Sequence, residues 1–330
     1  MKKGKLFLAA VLALALAGTG LAAKVFITIG SGSVTGVYYP VSSGIAKMIN
    51  EYLGKEGIRA NARSTGGSKF NVKAIDKNQL QAALAQNDVI YYAYNGLTET
   101  FKGHPIKTIR GVAALYPEFM HILARPGSGI KTLYDLKGKK VYVGDIGSGV
   151  EATTKQIFKA AGMTFDDLAQ AVHGKAGQAV QLLQDGKIDA LFYTVGAKSA
   201  AMQEATEIAH AYFVPLPLDI IQKLIDEFPY YTQVIIPPNT YKGQTVSVPT
   251  IGVKATFIVR KDLPEDVVYK IAKLLFVDKV DEFKKIHPAL GTFFDVKKAL
   301  DGMTIPIHPG AAKLYKELGI PIPDLAKPMP

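Results

Sequence analysis

Residues 26–40 read FITIGSGSVTGVYYP. An alternating apolar run, Val25-Ile27-Ile29, ends in glycines at 30, 32 and 36, and a helical periodicity follows at once through Tyr38, Val41, Ile45, Met48/Ile49 and Tyr52. Pro40 sits where the first helical turn tolerates proline. A strand, a glycine-rich loop and a helix in immediate succession form a unit of an α/β sheet. Its loop presents unpaired helix N–H groups to an anion.

The same unit recurs. Residues 57–68, GIRANARSTGGS, alternate and then close in Thr65-Gly66-Gly67-Ser68. AALAQ runs into Asn87-Asp88 and a tyrosine-rich helix, Tyr91-Tyr92-Ala93-Tyr94. Residues 140–144 lead to Gly147-Ser148-Gly149 and a helix from Val150, and 190–193 form a further strand with a helix start near Gly196. From about Val214 the chain becomes proline-rich and aromatic (VPLPLDIIQKLIDEFPYYTQVIIPP), and VSVPTIGVKATFIVR then supplies late strands. These late strands read as a return to the first module. The expected organisation is a discontinuous first domain, 24–119 plus 213–330, an inserted second domain, 120–212, and a two-connection hinge.

Residues 1–23 stand apart. A basic head with Lys2, Lys3 and Lys5, an apolar run from Leu6 to Ala17 and a small-residue end near Ala22-Ala23 predict a secretory signal peptide. The apolar run is short of the ~20 residues a membrane span needs. The chain has no cysteine. This excludes thiol nucleophiles, zinc–thiolate sites, iron–sulfur clusters and a lipid-anchored N-terminal cysteine. Removing the signal lowers the net charge from +11 to +8. The lysines are scattered, so a solvated basic surface is expected rather than a nucleic-acid interface.

Catalytic patterns fail one by one. G-x-G-x-x-G would need glycine at 35, where Thr35 stands, and Glu51 and Glu56 lie too early for the ribose-binding acid. No Walker A sequence, G-x-S-x-G elbow or H-E-x-x-H is present, and His104, His121, His173, His210, His287 and His308 show no paired context. No metal site and no cofactor are expected. Asp166-Asp167 reads as a helix N-terminal pair. Four loops, GSGSVTG, STGGS, AQND and GDIGSG, instead converge on the carboxyl ends of parallel strands. There they would share one ligand between two domains.

Those loops, with AQND-x-x-YYA, ALYPE, DGKIDALFYTVG and HPGAAKLYKELGI, resemble the TAXI family, the extracytoplasmic solute receptors of TRAP transporters, from about residue 24 to the C-terminus. The resemblance implies a two-lobed α/β periplasmic binding protein of type II. It would be free in the periplasm and no enzyme, closing on glutamate, glutamine or a related dicarboxylate and delivering it to an ion-driven TRAP permease. By the same resemblance Gly32, Ser33 and Val34, Thr65 and Gly66, and Gln86 and Asp88 would bind ligand from one lobe. Ser148, Gly149, Val150, Tyr193 and Gly196 would do so from the other. Tyr39 is favoured over Tyr38 as the cleft contact. Asp88 is read as ligand contact or helix cap, and Tyr116 and Glu118 as hinge or contact. A sensor feeding a signalling receptor and an exported enzyme on the same scaffold remain alternatives.

Overall fold

The structure is a computed structural model that describes residues 25–228 and 230–328; the expected signal peptide lies outside the described residues. The opening stretch forms β1 (Val25–Gly30) and α1 (Tyr38–Tyr52). β2 (Ile58–Arg63), α2 (Ser68–Asp76), β3 (Ala82–Gln86) and α3 (Asn87–Asn95) repeat the pattern, and a single turn, α4 (Thr98–Phe101), follows. β1 lies between β2 and β3 with both pairings parallel. The five residues of β3 are all buried, as expected of a strand covered on both faces. α1 presents Tyr38, Val41, Ile45, Met48 and Ile49 to this sheet.

β4 (Ile109–Ala124) is 16 residues long and buried nearly throughout. At about 3.3 Å per residue it spans roughly 50 Å, enough to run through both lobes. Its first part pairs antiparallel with β10 (Val248–Arg260) and its last part with β7 (Ala190–Gly196). Between β4 and β7 the chain builds β5 (Lys140–Tyr142), α5 (Gly149–Ala160), β6 (Gln170–Val172) and α6 (Ala176–Gln184). β5 pairs parallel with β6 and β7. The sheet order is therefore β2-β1-β3-β10-β4-β7-β5-β6, with parallel flanks joined by long antiparallel central strands.

The segment after β7 departs from the expected boundary. α7 (Ala200–Glu207), β8 (Tyr212–Phe213), α8 (Leu218–Glu227) and β9 (Thr232–Ile236) stay with the second lobe. β8 pairs with the end of β4 at Leu123-Ala124, and β9 with the first half of β10. Lys159 on α5 reaches Glu227 on α8 at 3.0 Å. β10 runs from its pairing with β9 on to its pairing with β3 and β4. A helix expected from Gly196 begins instead at Ala200, since β7 runs on to Gly196. The chain closes the first lobe with α9 (Glu265–Lys273), α10 (Val280–Lys285), α11 (Pro288–Phe293) and α12 (Pro309–Glu317).

Candidate functional site: an interlobe cleft

Asn71, fully buried on α2, organises the first wall. Its Nδ2 donates to the carbonyls of Ser31 (2.7 Å) and Leu84 (2.8 Å), and its Oδ1 lies 2.7 Å from the Thr65 hydroxyl. One carboxamide thereby joins the ends of β1, β2 and β3. Thr65 Oγ1 also lies 2.8 Å from the Ser31 carbonyl and accepts from the Gly67 amide (3.1 Å). Its single proton is thus taken up inside the wall, so Thr65 shapes the loop rather than offering a free donor.

Opposite stands the N-terminus of α5. Ser148 caps it, accepting from the Glu151 amide at 3.1 Å, which leaves the first-turn amides of Gly149 and Val150 as donors toward the cleft. Gln86 lies against this turn. A Cβ built at Gly149 would fall 1.3 Å from Gln86 Oε1, so any larger residue there would have to displace the Gln86 side chain. The Gln86 backbone amide donates to Ser68 Oγ (3.1 Å), while its buried Nε2 has no partner among the described residues. A similar contact joins Gly36 to Tyr193, whose hydroxyl would lie 2.6 Å from an added Cβ.

The space between these walls encloses about 540 Å³, open mouth included. As a cavity volume, the closed lobes leave about 60 Å³ between them. Gly32, Ser33, Thr65, Gly66, Gln86, Glu118, Ser148, Gly149, Val150 and Tyr193 line it. Tyr38 lines it and Tyr39 does not, which reverses the preference stated above. Tyr38 is the first residue of α1 and its hydroxyl donates to Glu118 Oε2 at 2.6 Å, while Tyr39, turned about 100° around the helix, is only half-buried and faces away. Val34 also falls outside, its side chain 58% exposed. Gly196 and Tyr116 pack on each other behind the wall, an added Gly196 Cβ lying 2.9 Å from Tyr116 Cε2. Asp88 is buried off the lining. Glu118 lies on the lining. It pairs with Val253 of β10 and Gly196 of β7 at the point where β4 crosses between lobes, and its carboxyl reaches the cleft.

Lining residues the sequence reading missed include Ser68, Tyr142, Asp145 and Lys175. Lys175 and Ala176 follow the three-residue β6 at the start of α6, so the strand–loop–helix signal is there but short.

Burial, reinforced by Asp88 and opposed by the Tyr38 bond, raises the Glu118 carboxyl to about 8; burial likewise raises Asp88 to about 7 against the Val89 amide and Lys69. At the mouth, Lys69 on α2 meets Glu151 on α5 at 3.4 Å. Burial pushes Glu151 up, but Lys155, the Gly147 amide and Lys69 outweigh it and hold the carboxyl at about 2. The Ala201 amide donates to the Thr35 carbonyl at 3.1 Å. The two lobes are therefore in contact around the cavity. Among the described residues no group of three or more His, Cys, Asp or Glu is arranged to hold a metal, and no helix is long and apolar enough to cross a membrane.

Behind Tyr193, buried His121 lies 2.8 Å from the Phe119 carbonyl and 3.2 Å from that of Tyr193 through Nδ1. Its Nε2 lies 2.8 Å from the Tyr241 hydroxyl, which accepts from the Lys198 amide. Burial lowers its pKa to about 4 from the ordinary 6.5. Between these values the unfolded chain holds the extra proton, so stability is full above pH 6.5 and falls toward pH 4. The loss should reach about 3 kcal/mol. The raised carboxyls of Glu118 and Asp88 act with the opposite sign over the same range, so the His121 contribution is read as the difference between wild type and His121→Asn in urea midpoints from pH 4 to 7; a difference that does not vary with pH would refute it.

This architecture, two lobes joined by long central strands with facing helix N-termini over a cleft, is that of type II periplasmic binding proteins. The periplasmic binding protein BugD superposes with a TM-score of 0.56 at 15% identity, covering 90% of this chain and 99% of that one. A putative L-cystine ABC transporter protein from Listeria monocytogenes gives 0.51 at 15% identity, covering 82% and 98%. A chain from Bordetella bronchiseptica RB50 gives 0.52 at 17%, covering 91% and 90%. The chain itself belongs to the NMT1-like family, whose model matches residues 29–319.

Proposed function

We propose that the protein is a periplasmic solute receptor that closes on a small carboxylate-bearing solute and hands it to a membrane permease without transforming it. The observation that carries this reading is the α5 N-terminus, with the Gly149 and Val150 amides beside buried Gln86, whose Oε1 lies against Gly149 and whose Nε2 has no partner among the described residues. A carboxylate accepting from all three would satisfy donors that the cleft otherwise leaves buried. These donors come from opposite lobes. A ligand bridging them binds the closed form better than the open one, and that difference drives closure.

Glutamate, glutamine or a related dicarboxylate is the proposed ligand, and a TRAP permease the proposed partner, both on the strength of the shared TAXI-type motifs. Isothermal titration with glutamate, glutamine, 2-oxoglutarate and C4 dicarboxylates should give one saturable site for at least one of them, with the ligand recovered unchanged. A flat response to all of them would reject the ligand class.

A further inference from the structure

Two aromatic runs of the sequence have no part in the ligand cleft. Tyr91 and Tyr92 lie on α3 in the first lobe, and Phe228, Tyr230 and Tyr231 lie between α8 and β9 in the second. The structure brings them together across the interlobe boundary. The Tyr230 ring lies 5.3 Å from Tyr92 and 5.9 Å from Tyr91 between centroids, and Tyr231 lies edge-on to Tyr230 at 4.8 Å. Tyr92, Tyr230 and Tyr231 are all buried.

Gln156 of α5 sits among these hydroxyls. Its Nε2 donates to the Tyr92 hydroxyl and, at 3.4 Å, to that of Tyr230, and its Oε1 accepts from Tyr231. Gln156 follows Gly149 by seven residues, two helical turns, with buried Thr153 between them, so all three share one face of α5. That face meets ligand donors at its N-terminal end and tyrosines at the other. Tyr92 supplies the first lobe's hydroxyl to this cluster. The bond between it and Gln156 is uncharged and partly buried, whereas the Lys69–Glu151 pair at the mouth is ionic and open to screening by salt.

We propose that Tyr92, Gln156, Tyr230 and Tyr231 form a latch that sets the closed fraction of the empty receptor, and so scales its affinity for every ligand alike. The proposal rests on the two-lobed clamp reading but needs no particular ligand. Hydrogen bonds made only when the lobes meet favour closure by their net worth.

The test uses the absence of cysteine from the chain. Labels at Lys77→Cys and Lys187→Cys, exposed positions on opposite lobes, report the interlobe distance in ligand-free protein. Gln156→Leu and the milder Tyr92→Phe should each shift the closed-to-open ratio toward open, the first by about tenfold, and the shift should persist at 1 M salt. Unchanged distance distributions in both variants, with circular dichroism confirming the fold, would overturn the latch. A parent protein that ignores every carboxylate offered would sink the proposed function yet leave this measurement decisive.

Discussion

Gly149→Leu should weaken solute binding about 100-fold or more while leaving the fold as stable as before. The side chain would enter the space held by Gln86, whose Oε1 and Cδ lie 1.3 and 2.4 Å from the position of a Cβ, with Ser68 Oγ at 3.1 Å. All of these contacts lie across the interlobe boundary, so they oppose closure and not folding. Within α5 itself, exchanging glycine for leucine favours the helix by several tenths of a kcal/mol. A clamp that cannot close loses the donors of one lobe, and an equilibrium moved by about 3 kcal/mol costs roughly 100-fold in apparent affinity. Titration of whichever ligand saturates the wild type, beside a thermal melt, reads both halves. Affinity within threefold of wild type would remove Gly149 from the closing surface.

Asn71→Ala should cost about 3 kcal/mol in stability and disorder the first wall. The substitution removes a bond of 2.7–2.8 Å from each of the Ser31 carbonyl, the Leu84 carbonyl and the Thr65 hydroxyl, leaving the Ser31 carbonyl and the Thr65 hydroxyl the 2.8 Å bond between them. An unsatisfied buried polar group costs about 1–3 kcal/mol, and a network that shares one residue loses more than its bonds taken singly. The urea midpoint should fall accordingly, and ligand affinity with it, because the loops carrying Gly32, Ser33 and Gly66 would no longer be held together. A loss below about 1 kcal/mol would mean that water replaces the carboxamide readily.

Much of this site is legible in the amino-acid order, for a physical reason. Strand, glycine loop and helix are local patterns, and parallel strands bring their loops to one edge. That logic pointed to the loops GSGSVTG, STGGS, AQND and GDIGSG. It failed where the outcome depends on rotation or on distant partners. Adjacent residues on a helix point about 100° apart, so Tyr38 and Tyr39 differ only through Glu118, 80 residues from Tyr38, which accepts the Tyr38 proton. Asn71 carried no signal because its partners lie in the loops after β1 and β2 and on β3, far apart in sequence. β8 and β9 are short strands that pair with the last residues of β4 and the first half of β10, and such pairing leaves no trace in composition. The tyrosine pairs at 91–92 and 230–231 read as separate aromatic runs, and only the fold sets them against one glutamine.

The most direct measurement of the central claim is mass spectrometry of the small molecules released when the protein, purified from its own host, is denatured. The account predicts one carboxylate-bearing solute near one equivalent per chain, chemically unchanged after prolonged incubation with the protein. A stoichiometric solute without a carboxylate, or its steady conversion to product, would contradict it.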